Sequence, residues 1–181
     1  FIHIASIDET IAARTLTFIA PSKTFNIAGL STSVSIVPNP VLNQRLQEEY
    51  AKMHADQGNI FGAVALEAAY THGDEWLEQL LQYLKGSVDY VCNFLQERIP
   101  SIHCVPPQGT YLMWLDFREW GMTHEEIYQF LIDKAGWGVN EGSMFGEEGR
   151  GWMRVNIATQ RSVLKQAMEQ LYQAWLQLPK K

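Results

Sequence analysis

The sequence predicts an α/β protein whose two parts are joined by one long helix. Three observations carry this reading. Short β-rich segments alternate along the chain with amphipathic patterns of helical period. From Asp74 to Arg98 the apolar residues Leu77, Leu80, Leu81, Leu84, Val88, Val91 and Leu95 recur at helical spacing. Beyond Pro100 the order becomes strand, strand, helix, strand, strand, helix.

Thr15 to Ile19 is the first predicted strand, and it ends at Ala20-Pro21-Ser22-Lys23 because proline cannot donate to a sheet ladder. Ser31 to Val37 is the second, with Thr32, Val34 and Ile36 alternating against small polar residues. Pro38-Asn39-Pro40 starts a helix reaching about His54, Asn39 as N-cap and Pro40 in the first helical position. Gly58-Asn59 breaks the pattern, and Asn59 caps a helix through Tyr70. The long helix follows, with Gly86 as a candidate bend. Ile102 to Val105 and Thr110 to Phe117 read as strands around the turn Pro106-Pro107-Gln108-Gly109. Thr123-x-x-Glu126 is a capping box opening a helix to Lys134. Trp137 to Val139 and Trp152 to Ala158 are the remaining strands. Leu164, Ala167, Met168, Leu171, Trp175 and Leu178 form the apolar face of a last helix.

Of the 181 residues 46% are hydrophobic and 19% charged, a globular mixture. Fourteen basic against twenty acidic residues leave a net charge of −6, which argues against nucleic-acid binding. No apolar run approaches the roughly 20 residues that span a bilayer, so no membrane partner is expected. The chain opens on Phe1 without a basic leader, and the expectation is the later part of a longer protein. Cys92 and Cys104 lack the close pairing of a zinc site. A disulfide between them is conceivable in a secreted protein, and two reduced thiols in a cytoplasmic one is the favoured reading. The five histidines are scattered without ligand spacing, so no metal is expected.

Two residues stand out for chemistry. Lys23 follows a strand directly, in Ala20-Pro21-Ser22-Lys23-Thr24-Phe25-Asn26-Ile27-Ala28-Gly29-Leu30. A lysine partly desolvated at a sheet edge can serve as a nucleophile, with Ser22 and Thr24 hydroxyls available to a phosphate and Gly29 allowing close backbone approach. An ordinary loop lysine is the plain alternative. In Trp152-Met153-Arg154-Val155-Asn156-Ile157-Ala158, alternation sets Met153, Val155 and Ile157 on one face and Arg154 and Asn156 on the other. An arginine fork matches a carboxylate through two parallel hydrogen bonds. The plain alternative is a surface ion pair of little energetic weight. Tyr111, Trp114 and Phe117 read as core, with Tyr111 able to reach a cleft. The glycine-rich stretch Gly138 to Gly149 lacks the spacing of a phosphate-binding loop.

The segment S-K-T-F-N-I-A-G-L resembles the pyridoxal-phosphate lysine loop of the fold-type-I aminotransferase superfamily, within it the cystathionine β-lyase and C–S lyase branch of the MalY/PatB type. The resemblance continues in G-T-Y-L-M-W-L-D-F (Gly109 to Phe117) and G-W-M-R-V-N-I-A (Gly151 to Ala158), in the family's order. It implies a C-terminal portion of a fold-type-I pyridoxal-phosphate enzyme. Residues 1–73 would close the large cofactor-binding domain, and 74–181 would form the interdomain helix and small domain. It implies pyridoxal 5'-phosphate as cofactor and Lys23 as the lysine that bonds it and then serves as general base at Cα. It further implies Ser22 among the cofactor-binding residues and Arg154 gripping the substrate α-carboxylate. The superfamily often has Ser or Gly three residues before the lysine and an arginine eight after, where this chain has Ala20 and Ser31. The loop holding Glu141, Ser143 and Phe145 would border the substrate entrance. The implied activity is β-elimination from an amino-acid thioether, releasing pyruvate, ammonia and a thiol, in a homodimer. The alternatives are an aminotransferase with the same lysine and arginine, and a non-catalytic folded fragment that mediates dimer contacts.

Overall fold

Two asparagines start helices and at the same time stitch the chain together. In this computed structural model, which describes residues 2–55 and 58–179, Asn39 accepts from the amides of Val41 and Leu42 and caps helix α2 (Pro40–Lys52). Its Nδ2 donates to the carbonyl of Ala13, just past the short helix α1 (Glu9–Ala12). Asn59 caps α3 (Ile60–His72) through the Phe61 amide and donates to the Leu30 carbonyl. One side chain thus supplies both a cap and a long-range tie. Strands β1 (Thr17–Ile19) and β2 (Val34–Ile36) pair antiparallel, with Phe18 opposite Ser35.

The chain divides into two compact units, Phe1–Glu78 and Gln79–Lys181. The division falls inside α4 (Asp74–Arg98), a continuous helix through Gly86. Gly86 makes room rather than a bend. A Cβ there would lie 3.2 Å from the Arg161 guanidinium, which donates to the Tyr83 carbonyl and the Ser87 hydroxyl.

In the second unit β3 (His103–Val105), β4 (Leu112–Asp116), β5 (Asn140–Glu141) and β6 (Trp152–Asn156) form an antiparallel sheet in the order β3-β4-β6-β5. Helices α5 (His124–Asp133) and α6 (Arg161–Trp175) complete the strand-strand-helix, strand-strand-helix order. The capping box forms as read, with Thr123 and Glu126 each accepting from the other's backbone amide. Met113, Leu115, Met153 and Ile157 are buried with Val91 and Leu95 of α4, Ile127 and Leu131 of α5, and Leu164, Met168 and Leu171 of α6.

Two expectations need correction. The strand expected at 137–139 does not form, and pairing with β6 begins at Asn140. Gly136, at φ +66°, turns the chain out of α5, and the Trp137 amide closes that turn on the Leu131 carbonyl. The buried Trp137 indole donates to the Ala167 carbonyl, so this stretch anchors α6 instead of extending the sheet. Of the aromatics read as core, Phe117 is fully buried, whereas Trp114 lies among the half-buried residues, stacked on Trp152 and edge-on to Phe145.

Candidate active site

The turn that carries Lys23 is held from its downstream side. Phe25 donates its amide to the Pro21 carbonyl, and Ile27 donates to that of Ser22, so the backbone wraps around Ser22-Lys23-Thr24. Asn26 takes a left-handed conformation at φ 55°, as asparagine tolerates. The Phe25 ring stacks on Trp76 at 6.2 Å and meets Tyr70 edge-on at 5.5 Å. Asn59 and Thr32 both donate to the Leu30 carbonyl, which fixes the end of the segment. Gly62 of α3 packs there, since a Cβ on it would collide with the Thr32 side chain. Gly29, expected to permit a close approach, faces open space. Ser22 is half-buried and Lys23 is exposed, so the described residues do not supply the desolvation expected for this lysine.

Arg154 occupies the middle of a cross-strand row. It pairs with Trp114 on β4 and with Asn140 on β5, all three on the face opposite Met113 and Met153. Its Nη2 donates to Asn140 Oδ1 at 2.8 Å, and its guanidinium carbon lies 4.6 Å from the Phe145 ring centroid. Its Nε is buried and has no hydrogen-bond partner. Among the described residues Arg98, Arg118 and Arg150 each meet a carboxylate, of Glu169, Asp116 and Glu125, while Arg154 meets only a neutral amide and a ring. A cavity of about 420 Å³ opens beside it, lined in part by Trp137, Asn140, Asn156 and Thr159. Lys23 belongs to the first unit and Arg154 to the second.

The glycine-rich stretch is a pinched loop rather than an anion cradle. Gly142 and Gly149 touch so closely that a Cβ on either would strike the other's backbone. Behind the loop lies His124, buried at the start of α5. Its Nδ1 accepts from the Gly151 amide at 3.0 Å, which assigns the other ring nitrogen as the N–H of the neutral imidazole. That Nε2 reaches Glu141 Oε2 at 3.0 Å and Ser143 Oγ at 3.1 Å. Glu141 and Ser143, expected to border the substrate entrance, are therefore engaged by a buried histidine, and only Phe145 reaches Arg154. The sequence reading missed His124 and Asn140 because their partners lie 14 to 27 positions away, with no local motif to mark them.

Cys92 and Cys104 are free thiols. Burial, and secondarily the neighbouring Cys92 thiol, pushes the Cys104 thiol up to about 12, away from nucleophilic use. Burial would also raise the Asp116 carboxyl, but the hydrogen bonds from Arg118 outweigh it and hold the group below its ordinary value. No group of three or more metal-ligating side chains occurs among the described residues, and no described helix is long and apolar enough to cross a membrane.

The fold places the chain with the α/β proteins of the pyridoxal-phosphate-dependent aminotransferase architecture. It is similar to cystalysin from Treponema denticola, a structure containing pyridoxal 5'-phosphate, with a TM-score of 0.86 and 35% identity over 96% of this chain and 44% of that one. Among curated proteins it is 31% identical over 92% of its length to cystathionine β-lyase PatB of Bacillus subtilis, covering 43% of that protein. It is 30% identical over 84% of its length to protein MalY of Escherichia coli, covering 40%. No protein-family profile matches. The chain is a relative of the pyridoxal-phosphate-dependent, aminotransferase-fold C–S lyases. Aminotransferases are weaker matches among curated proteins. A structure of a PLP-bound “putative aminotransferase” from Clostridium difficile, however, matches with a TM-score of 0.89 and 36% identity over 94% of this chain and 44% of that one. It spans less than half the length of the curated relatives it matches, consistent with a C-terminal portion.

Proposed function

We propose that this chain supplies the C-terminal portion of a pyridoxal-phosphate-dependent C–S β-lyase that acts on an amino-acid thioether. The likeness to cofactor-containing cystalysin, in both sequence and fold, is the observation that carries this reading. The residues present fit the cofactor in one respect that the structure offers: an exposed amine, on a turn braced by Phe25, beside the Ser22 hydroxyl. Lys23 would hold the cofactor and Ser22 would contribute to its phosphate site. When bound, pyridoxal phosphate supplies an electron sink for negative charge at the substrate Cα. Lys23, once its amine is free, would take the Cα proton. Arg154 would bind the substrate carboxylate with the part of its fork that Asn140 leaves open, which orients the amino acid and compensates both charges.

Loss of a thiolate from Cβ then yields a thiol, with pyruvate and ammonia after hydrolysis. The likeness to the Clostridium difficile structure, and the weaker curated match to aspartate aminotransferase of Pyrococcus horikoshii at 26% identity, support the alternative outcome of amino-group exchange. The exposed apolar side chains of Ile60, Phe61 and Val64 on α3 support a covered surface in the full-length protein, which we take to act as a homodimer.

Borohydride reduction of the cofactor-loaded full-length protein should fix the label on the peptide containing Lys23. A label on Lys52, Lys85 or Lys134 instead would overturn that assignment. With L-cystathionine, pyruvate release should outpace amino-group exchange with a keto acid, and the reverse order would make the protein an aminotransferase.

A further inference from the structure

We infer that Asn140 is a positioning residue that presets the Arg154 guanidinium for a carboxylate, and that buried His124 fixes the loop beside it. This rests on the proposed role of Arg154. An arginine side chain free in solution loses substantial rotamer entropy when it binds, and a site that has already ordered it binds its anion more tightly. Arg154 is ordered on two sides: Asn140 Oδ1 takes one N–H of Nη2, and the Phe145 ring covers the guanidinium plane. Both restraints are neutral. A carboxylate at position 140 would hold the same geometry but would also neutralise the charge that recruits the ligand. Asn140 thus restrains the guanidinium without competing for its charge.

The second layer is the histidine. Asn140 and Phe145 flank the stretch 141–143, and His124 gathers that stretch by accepting from Gly151 and bonding to Glu141 and Ser143. The charged groups around it are Glu141 itself, Glu125 beside it on α5, and Arg150, which donates to both oxygens of Glu125. The Glu125–Arg150 pair closes the same loop onto α5 from the outside. Removing the imidazole would leave the Gly151 amide without its acceptor and the loop without its central tie.

Side-chain NMR of arginine Nε–Hε groups in the full 181-residue chain, titrated with sodium propionate, tests this without cofactor or turnover. In the wild type the Arg154 signal should be sharp, displaced by the Phe145 ring, and responsive to propionate. Asn140→Ala and His124→Ala should broaden or move it before any propionate is added, and weaken propionate binding about three- to tenfold. His124→Gln, which keeps a donor toward Glu141, should recover part of the loss. Asn140→Asp should keep the signal sharp yet abolish the propionate response, a result that a merely structural role does not produce. Backbone amide spectra of β4 and β6 report whether a variant has unfolded, and Asn140→Asp carries the test if an alanine variant does. If wild-type Arg154 ignores propionate, the carboxylate role fails. If it responds and the Asn140 variants respond identically, the positioning role alone is overturned.

Discussion

The two units bury apolar surface to very different degrees. Among the described residues the buried core side chains run from Leu84 to Ala174, all in the second unit, whereas the first unit buries only Pro21 and Gly62. In the first, Ile60 and Phe61 are 78% and 79% exposed, and Ile4, Phe18, Val41 and Met53 are exposed with them. The first unit relies on directional ties instead: Asn39 to Ala13, Asn59 to Leu30, Ser35 to Tyr50, and one aromatic cluster around Phe25. Net hydrogen-bond contributions of about 1 kcal/mol each are small beside the burial of whole side chains. Lys23 thus stands in the unit without a core of its own, while Arg154 stands on a sheet backed by a full one.

The largest expected effect compares one residue type across the units. Phe117→Ala removes a fully buried ring and should cost about 3–5 kcal/mol. Phe61→Ala removes an exposed one and should change stability by no more than about 0.5 kcal/mol. Urea unfolding followed by near-UV circular dichroism reads both, and equal losses would break the comparison.

A smaller effect sharpens it by locating where the first unit is tight. Gly62→Ala drives a methyl into Thr32 and should cost about 1–3 kcal/mol, seen as faster amide exchange in α3. Gly29→Ala, facing open space, should leave that exchange unchanged.

The smallest effect is pH-dependent and confined to the second unit. The hydrogen bond that the His103 Nε2–H donates to the Glu119 carboxylate holds the imidazole above its ordinary value of 6.5. A group raised in the folded state stabilises fully below its unfolded value and loses that contribution as pH rises through the folded one. The urea midpoint of the second unit should therefore fall slightly from pH 5.5 to above 7. His103→Gln should flatten that slope, and a slope unchanged by the substitution would remove the pair from the account.

The sequence by itself determined the starts of α2, α3, α4 and α5, the length of α4 and, apart from the strand at 137–139, the succession of strands and helices along the second unit, because caps, prolines and apolar periods act over a few residues. Asn39, Asn59 and the Thr123–Glu126 box lie where their side chains reach their own helix ends. The alternation in β6 likewise determined that Arg154 turns away from Met153. Only the tertiary structure decided what Arg154 meets there. Asn140 and Phe145 come to it from a neighbouring strand and loop, and that loop is placed by His124, a residue with no local signature. The same holds for the stretch 137–139, where Trp137 binds α6 and takes the backbone out of the sheet. A local pattern reports which face a residue takes. Which partner waits on that face depends on contacts closed between distant segments, and there packing and hydrogen-bond satisfaction outweigh propensity.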